Sequence, residues 1–310
     1  MTQRLLCIGE CMVELSPRGE DSCAIGYAGD TFNTAFYARQ VAGPEALRVA
    51  YQSGVGDDEL SARMIAFMEA QGVETRMHVV PGATVGLYMI FLKNGERSFQ
   101  YWRAQSAARR LAEGLETFAA LQPGDTAYFS GITLAILTEA DRERLLDWLA
   151  QARARGVRTA FDPNLRPRLW PSADDMRDWT MRGAGVADVI LPSFEDEATW
   201  FGDADLRATA ERYLAAGADL LIVKDGPGAV LIRQRGREDV LVSPAPVREI
   251  VDTTSAGDAF NGAVLAALAE GTSLERAVAL GCDVAGQVVQ QRGALVQVSL
   301  ARETGSAVAG

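Results

Sequence analysis

Short apolar runs alternate with longer segments of helical period along most of the chain, and this alternation limits the possible folds more than any other feature. The runs "RLLCIGE" (4–10), "RVAYQSGV" (48–55), "DTAYFSG" (125–131), "VRTAFD" (157–162), "ADVILPS" (187–193) and "DLLIVKDG" (219–226) read as strands. Between them, "DTFNTAFYARQVA" (30–42), "DDELSARMIAFMEAQG" (57–72), "TEADRERLLDWLAQARARG" (138–156) and "DLRATAERYLAAG" (205–217) carry apolar residues at helical steps. Strand-then-helix repetition predicts a three-layer α/β/α domain with a mostly parallel central sheet. Sites in such sheets gather beyond the carboxyl ends of the strands, so the residues that follow each run are the candidates.

One segment departs from the rhythm. "TVGLYMIFLKNGERSFQYWR" (84–103) is two apolar-rich strands around Asn94-Gly95, a strong hairpin signal. Together with the strand-like "CMVELSP" (11–17) and "CAIGYAG" (23–29) it has no helix of its own to cover it. The expectation is a small β lid formed by about 11–28 and 84–103, set within a single domain spanning 1–310; an antiparallel extension of the main sheet is the alternative. The tail "RETGSAVAG" is expected to fray.

Thirty Lys and Arg against 41 Asp and Glu leave a net charge of −11 without a basic block, which disfavours nucleic acid and anionic membrane surfaces as partners. Cys7, Cys11, Cys23 and Cys282 form no CxxC pair, the first residues lack a signal-peptide layout, and no apolar run is long enough to span a membrane. A reduced, cytoplasmic, soluble protein is expected. Cys7 and Cys11 flank a strand end with no histidine beside them and read as small core residues. His78, the one histidine, has no partner motif, which disfavours Ser-His-Asp and zinc-histidine chemistry.

The chemistry concentrates in "DTTSAGDAFNGAVLAAL" (252–268). Helical spacing starts at Gly257, so "TTSAG" is a tight loop feeding a helix N-terminus, where small residues admit a ligand to the backbone. Unpaired amides of Ala256, Gly257 and Asp258, with the helix dipole, make an anion site suited to phosphate. Asp258 in that first turn reads either as the base that accepts the proton of an attacking hydroxyl or as a plain complement to the dipole. Asp252 reads as an organiser of the loop. Upstream, "VKDGPGAVLI" (223–232) offers Lys224, Gly226 and Gly228 at a turn where a nucleotide can rest. It is no Walker A, and no GxGxxG follows the first strand, which argues against a dinucleotide-dependent dehydrogenase. In "YAGDTFNTA" (27–35), Asp30, Thr31 and Asn33 read equally as helix-start residues and as a hydroxyl-gripping face.

These motifs, in this order and with a β segment between them, resemble the PfkB (ribokinase-like) family of carbohydrate kinases. "AGDTFNTA" is similar to the family's sugar-binding Gly-Asp-x-x-Asn turn, and "DTTSAGDAFNGA" to its C-terminal signature, whose last Asp is the catalytic base. Further segments, "IGECMVELSP", "GLYMIFLKNGERSFQYWR", "SGITLAIL" and "FDPNLRPRLWPS", resemble the branch acting on 2-keto-3-deoxygluconate. The resemblance implies that Gly29, Asp30, Asn33, Tyr88, Tyr101, Arg103, Arg166 and Asp258 contact a sugar acid. It implies that Asn164, Ser193, Lys224, Gly226, Gly228 and the loop Ser255, Ala256, Gly257 and Asp258 contact ATP, and that Mg²⁺ takes part, with a monovalent cation in some members. Two arginines suit the acid, because a guanidinium fork binds a carboxylate bidentately; Arg166 serving ATP phosphates, or lying at the surface, is the alternative. Tyr88 and Tyr101 read equally as lid core.

The sequence departs from the family pattern in four places: Ala28 for the first Gly before Gly29-Asp30, Ser255 for Gly, Ser193 and Asp196 in the N-x-x-E element associated with Mg²⁺, and Ala229 in the nucleotide turn. Asp196 keeps a carboxylate for the metal, acting through water. The function expected is transfer of a phosphoryl group from ATP to the terminal hydroxyl of that keto-acid. A kinase for a neutral ketose such as fructose, and a non-catalytic sugar or nucleotide sensor, are the alternatives. Exposed lid edges invite a second copy, so a dimer or a multiple of one is expected.

Overall fold

The computed structural model describes residues 2–19, 21–43, 45–93, 96–117 and 121–300. Its main sheet has nine strands, in the order β13-β12-β11-β10-β9-β8-β1-β4-β5. They are β1 (Gln3–Ile8), β4 (Leu47–Val55), β5 (Glu74–Val79), β8 (Thr126–Ser130), β9 (Arg158–Asp162), β10 (Val189–Ile190), β11 (Leu220–Val223), β12 (Val230–Gln234) and β13 (Val240–Val242). All pairings are parallel except those of β11 with β12 and of β12 with β13. The mostly parallel sheet expected from the alternation is therefore present, and its antiparallel edge is the strand-turn-strand of "VKDGPGAVLI" with one strand more.

Side-chain alternation along the buried strands feeds two cores, one on each face. Leu6, Ile8, Phe129 and Phe161 pack with α3 (Gly131–Ile136), α4 (Glu139–Ala154), α5 (Ala173–Gly185), α7 (Leu206–Ala216) and the 3-10 turns of Ala107–Thr117. Leu5, Cys7, Tyr51 and Ile222 pack with α1 (Asp30–Val41), α2 (Glu59–Ala70), α8 (Ala256–Ala269) and α9 (Leu274–Val288). Cys7 and Cys11 lie in the second core, as read from the sequence, and burial pushes both thiols up. The helix α6 (Phe194–Phe201) sits between β10 and α7.

The segments that broke the alternation form their own four-stranded sheet, ordered β3-β2-β6-β7: β2 (Met12–Pro17), β3 (Cys23–Ala28), β6 (Leu87–Lys93) and β7 (Glu96–Trp102). It is separate from the main sheet rather than an extension of it, and its β2–β6 pairing is parallel. The Asn94-Gly95 turn and the tail from 301 onward lie outside the described residues. Among the described residues no helix is long and apolar enough to cross a membrane.

Candidate active site

The strand β1 has β4 on one side and β8 on the other, so the chain winds outward in both directions from this pair and leaves a crevice at their carboxyl ends. Glu10 follows β1, Ser130 ends β8, Asp162 ends β9 and Lys224 follows β11. Small residues let these ends crowd together: a Cβ on Gly131 would lie 1.9 Å from the carbonyl oxygen of Pro163.

Two helices start at this crevice and run side by side in the same direction. Gly262 of α8 permits their close approach, since a Cβ there would lie 2.4 Å from the Thr34 carbonyl oxygen of α1. The result is a polar contact between first turns. Asn33 donates through Nδ2 to Oδ2 of Asp258 at 2.8 Å, and its own Oδ1 accepts from the Gly29 amide at 3.3 Å. Asp30 accepts at Oδ2 from Asn164 Nδ2 at 2.8 Å, while the Asn164 amide donates to Asp162 Oδ1 at 3.0 Å. Asn164 holds φ at 36°, a left-handed conformation that asparagine tolerates. Gly29, Asn33 and Asp258, assigned from the sequence to the sugar, thus form one hydrogen-bonded set, and Asp30 with Asn164 forms a second beside it.

Desolvation, then the neighbouring Asp30 charge, push the Asp258 carboxyl up to about 7, against the pull of the Asn33 hydrogen bond and of Lys224. Desolvation also raises Asp30, opposed by hydrogen bonds from Ser130 and Asn164. A carboxyl that titrates near neutrality beside a helix N-terminus has the acidity of a general base for a hydroxyl.

Beneath this cluster Lys224 turns inward. Its Nζ lies 3.1 Å from Asp162 Oδ2 and 3.0 Å from Asn261 Oδ1, and Asn261 Nδ2 donates to the same Asp162 oxygen at 2.6 Å. All three side chains are buried. The ammonium also sits 3.8 Å from where a Cβ on Gly257 would be, so its charge lies close under the start of α8. Gly226 takes φ 51°, and Gly228 closes the turn by donating its amide to the Asp225 carbonyl at 2.7 Å.

The anion loop differs from expectation in one respect. The Ala256 amide is already engaged, closing a turn on the Thr253 carbonyl at 3.3 Å, because Ser255 takes a left-handed φ of 61° ahead of the helix. The amides of Gly257 and Asp258 head α8, where the helix itself supplies no acceptor. Asp252 holds the loop: it accepts from the Thr254 amide at 3.1 Å, the Thr254 hydroxyl at 2.7 Å and the Gly293 amide at 2.9 Å. Ser255 Oγ donates to the Ala294 carbonyl at 2.5 Å.

The remaining residues make contacts outside this cluster. Tyr88 is buried, donates to Glu14 and packs with its ring centroid 5.7 Å from that of Tyr101, which is 49% exposed. Arg103 pairs with Glu10. Arg166 donates to the Leu165 carbonyl at 2.8 Å and lies 3.6 Å from Asp196, whose carboxyl is raised by desolvation and lowered by that guanidinium. Ser193 is the N-cap of α6, bridged to Lys224 across the sheet. Among the described residues no cluster of three acidic, His or Cys side chains forms a metal cage. A single carboxylate of this kind fits a hydrated Mg²⁺ carried by phosphates, not a cation held by protein alone.

A pfkB family carbohydrate kinase profile matches residues 2–299. This chain belongs to the pfkB family of carbohydrate kinases. It is 36% identical over 300 residues to a 2-dehydro-3-deoxygluconokinase of Haemophilus influenzae, covering 95% of this chain and 96% of that protein. Identity to the 2-dehydro-3-deoxygluconokinase of Dickeya dadantii is 37% over 303 residues, covering 95% and 97%. Among solved structures, a fructokinase of Vibrio cholerae with fructose, ADP and calcium ion bound superimposes with a TM-score of 0.82 at 25% identity, covering 94% of both chains.

In this carbohydrate kinase, Glu10, Ser130, Asp162 and Asn261 join the site without being among the residues assigned to it from the sequence. Asp162 ends a strand immediately before Pro163-Asn164, and Asn261 stands three residues beyond Asp258 on the same face of an otherwise apolar helix. Both signals were available. Glu10 carried none, since its role depends on an arginine 93 residues away.

Proposed function

We propose that this carbohydrate kinase transfers the γ-phosphoryl group of ATP to the terminal hydroxyl of 2-keto-3-deoxygluconate, giving the 6-phosphate and ADP. The kinase class rests on the family match, and the choice of acceptor rests on relatives of 36–37% identity across nearly the whole chain that carry the name 2-dehydro-3-deoxygluconokinase. The observation that carries the mechanism is the Asn33–Asp258 contact, which orients a carboxyl titrating near 7 at the head of α8.

In this reading the acceptor oxygen attacks the γ-phosphorus, the bond from that phosphorus to the β,γ-bridging oxygen breaks, and the hydroxyl proton passes to Asp258. Gly29, Asp30 and Asn33 hold the sugar hydroxyls, and Tyr88, Tyr101, Arg103 and Arg166 serve its keto-acid end. The Gly257 and Asp258 amides, with Lys224 beneath them, face the transferring charge. Asn164, Ser193, Gly226 and Gly228 border the nucleotide. Asp196 would hold a hydrated Mg²⁺ through water, and the ion would supply neutralisation of phosphate charge. The small sheet acts as a lid that excludes water. Its strand edges and its exposed Ile25, Phe91, Phe99 and Trp102 suit a second copy of the chain, giving a dimer in the cytoplasm.

A coupled ADP-release assay over a panel of sugar acids and neutral ketoses tests the assignment. The expected result is preference for the keto-acid; preference for fructose overturns it, and no turnover of any sugar favours a sensor.

A further inference from the structure

We infer that Glu10 is a positioning residue for Arg103, fixing the guanidinium that receives the substrate's carboxylate; the inference rests on the sugar-acid reading above. Glu10 occupies the short passage between β1 and β2, where the chain leaves the main sheet for the small one. Its side chain is 1% exposed, and its Oε2 accepts a hydrogen bond from Arg103 Nη2. Arg103 directly follows β7, so it stands where the chain comes back. The third passage is Gly86, just before β6: a Cβ there would lie 2.7 Å from Glu10 Oε1 and 3.4 Å from Arg103 Cβ. Glycine at 86 is therefore what lets the pair close.

The carboxylate is not explained by packing. Its second oxygen, Oε1, is buried without a hydrogen-bond partner among the described residues. An acid in that position is expensive to keep unless its charge is needed. What it accomplishes is local: the Arg103 guanidinium is held by Glu10 on one side and lies 6.0 Å from the centroid of the Tyr101 ring on another. The Arg103 side chain retains 14% exposure. A guanidinium has five N–H donors in a rigid fork and can serve two carboxylates at once, one from the protein and one from the ligand. Glu10 thereby fixes where the acid end of the sugar sits relative to Asp258, without touching the sugar itself.

The test is Glu10→Gln, which keeps shape and removes charge. KM for 2-keto-3-deoxygluconate should rise about ten- to hundredfold, as for loss of an oriented charge-assisted contact, while kcat falls less than about threefold. KM for ATP should stay within about twofold of wild type. In an Arg103→Lys background the same change should add less than about twofold, because Glu10 acts through the fork. A lower melting temperature with unchanged KM for the keto-acid overturns the inference, as does full additivity with Arg103→Lys. If Glu10→Gln does not fold, Glu10→Asp serves instead: withdrawing the charge by one methylene should raise that KM at least about threefold, and no change overturns the inference. Arg103→Lys raising KM while Glu10→Gln does not removes Glu10 alone; wild-type enzyme that prefers a neutral ketose removes the sugar-acid reading and this inference with it.

Discussion

Asn33 and Asp258 meet at 2.8 Å, amide nitrogen to carboxylate oxygen, across the interface between the first turns of α1 and α8. The bond favours the charged form of a carboxyl that desolvation and Asp30 otherwise push up. Replacing the donor, as in Asn33→Ala, should therefore raise the acidic limb of the kcat/KM profile above its wild-type position near pH 7. Activity should fall more at pH 6.5 than at pH 8.5. A profile that drops equally at all pH values would contradict this role.

Asp258→Asn should lower kcat by about 10²–10⁴-fold while leaving the fold and ATP binding in place. It should also stabilise the protein at high pH. With the folded carboxyl at about 7 and an ordinary value of 3.8, the native state holds a proton between those limits that the unfolded state has released. Stability from this group declines as pH rises through that window and stays lost above it. Thermal melts should show the variant gaining roughly 2 °C or more at pH 8 and nothing below pH 4.

The Lys224–Asp162 pair is buried, and removing one partner strands the other. Lys224→Met should cost about 3–5 kcal/mol in denaturant unfolding, much of it recovered when Asp162→Asn is added. Because the ammonium lies under the start of α8, the double variant should remain slow even where its stability is restored.

A second buried charge lies next to Asp196 on α6 but bonds to α7 rather than to Arg166. Glu197, fully buried and pushed up to about 7 chiefly by desolvation, accepts from Arg212 at 2.7 Å and from the Tyr213 hydroxyl at 3.0 Å. Arg212→Met should destabilise the protein by about 3–5 kcal/mol at pH 8 and by less at pH 5, where Glu197 can bind a proton and become neutral. Denaturant melts at the two pH values, with kcat little altered in the surviving folded enzyme, check this.

Gly262→Ala drives a methyl into the Thr34 carbonyl, 2.4 Å from the new Cβ. Separation of α1 and α8 should follow, with a loss of about 1–3 kcal/mol and a fall in kcat larger than an alanine elsewhere on α8 would produce.

Most of the fold was legible because it is written in periodicity. The strand-helix alternation placed the main sheet, and the uncovered segments 11–28 and 84–103 proved to be a second sheet. A short element such as α3 was not separable by period, since six residues are too few to show one, whereas the two-residue β10 was legible only as part of the apolar run 187–193. At the site, Lys224 and the motif residues of α1 and α8 were readable one by one, whereas the bonds that join residues of different elements were not. Asp162, Lys224 and Asn261 come from β9, from the end of β11 and from α8, and only the parallel sheet brings them together. The Ala256 amide was misjudged for a local reason: the left-handed Ser255 turns it back onto Thr253.

The pairing of α1 with α8 also has a meaning for synthesis. Asp30 and Asn33 emerge from the ribosome early, and Asp258 emerges late, followed by Gly293 and Ala294, which brace its loop through Asp252 and Ser255. The nascent chain can lay down β1, α1 and β4 in order, yet it carries an unmatched helix flank until α8 arrives to cover it. Contacts of such long sequence separation form late and slowly. C-terminal truncations that remove α8 should therefore yield chains with an exposed apolar seam, suited to capture by chaperones and proteases.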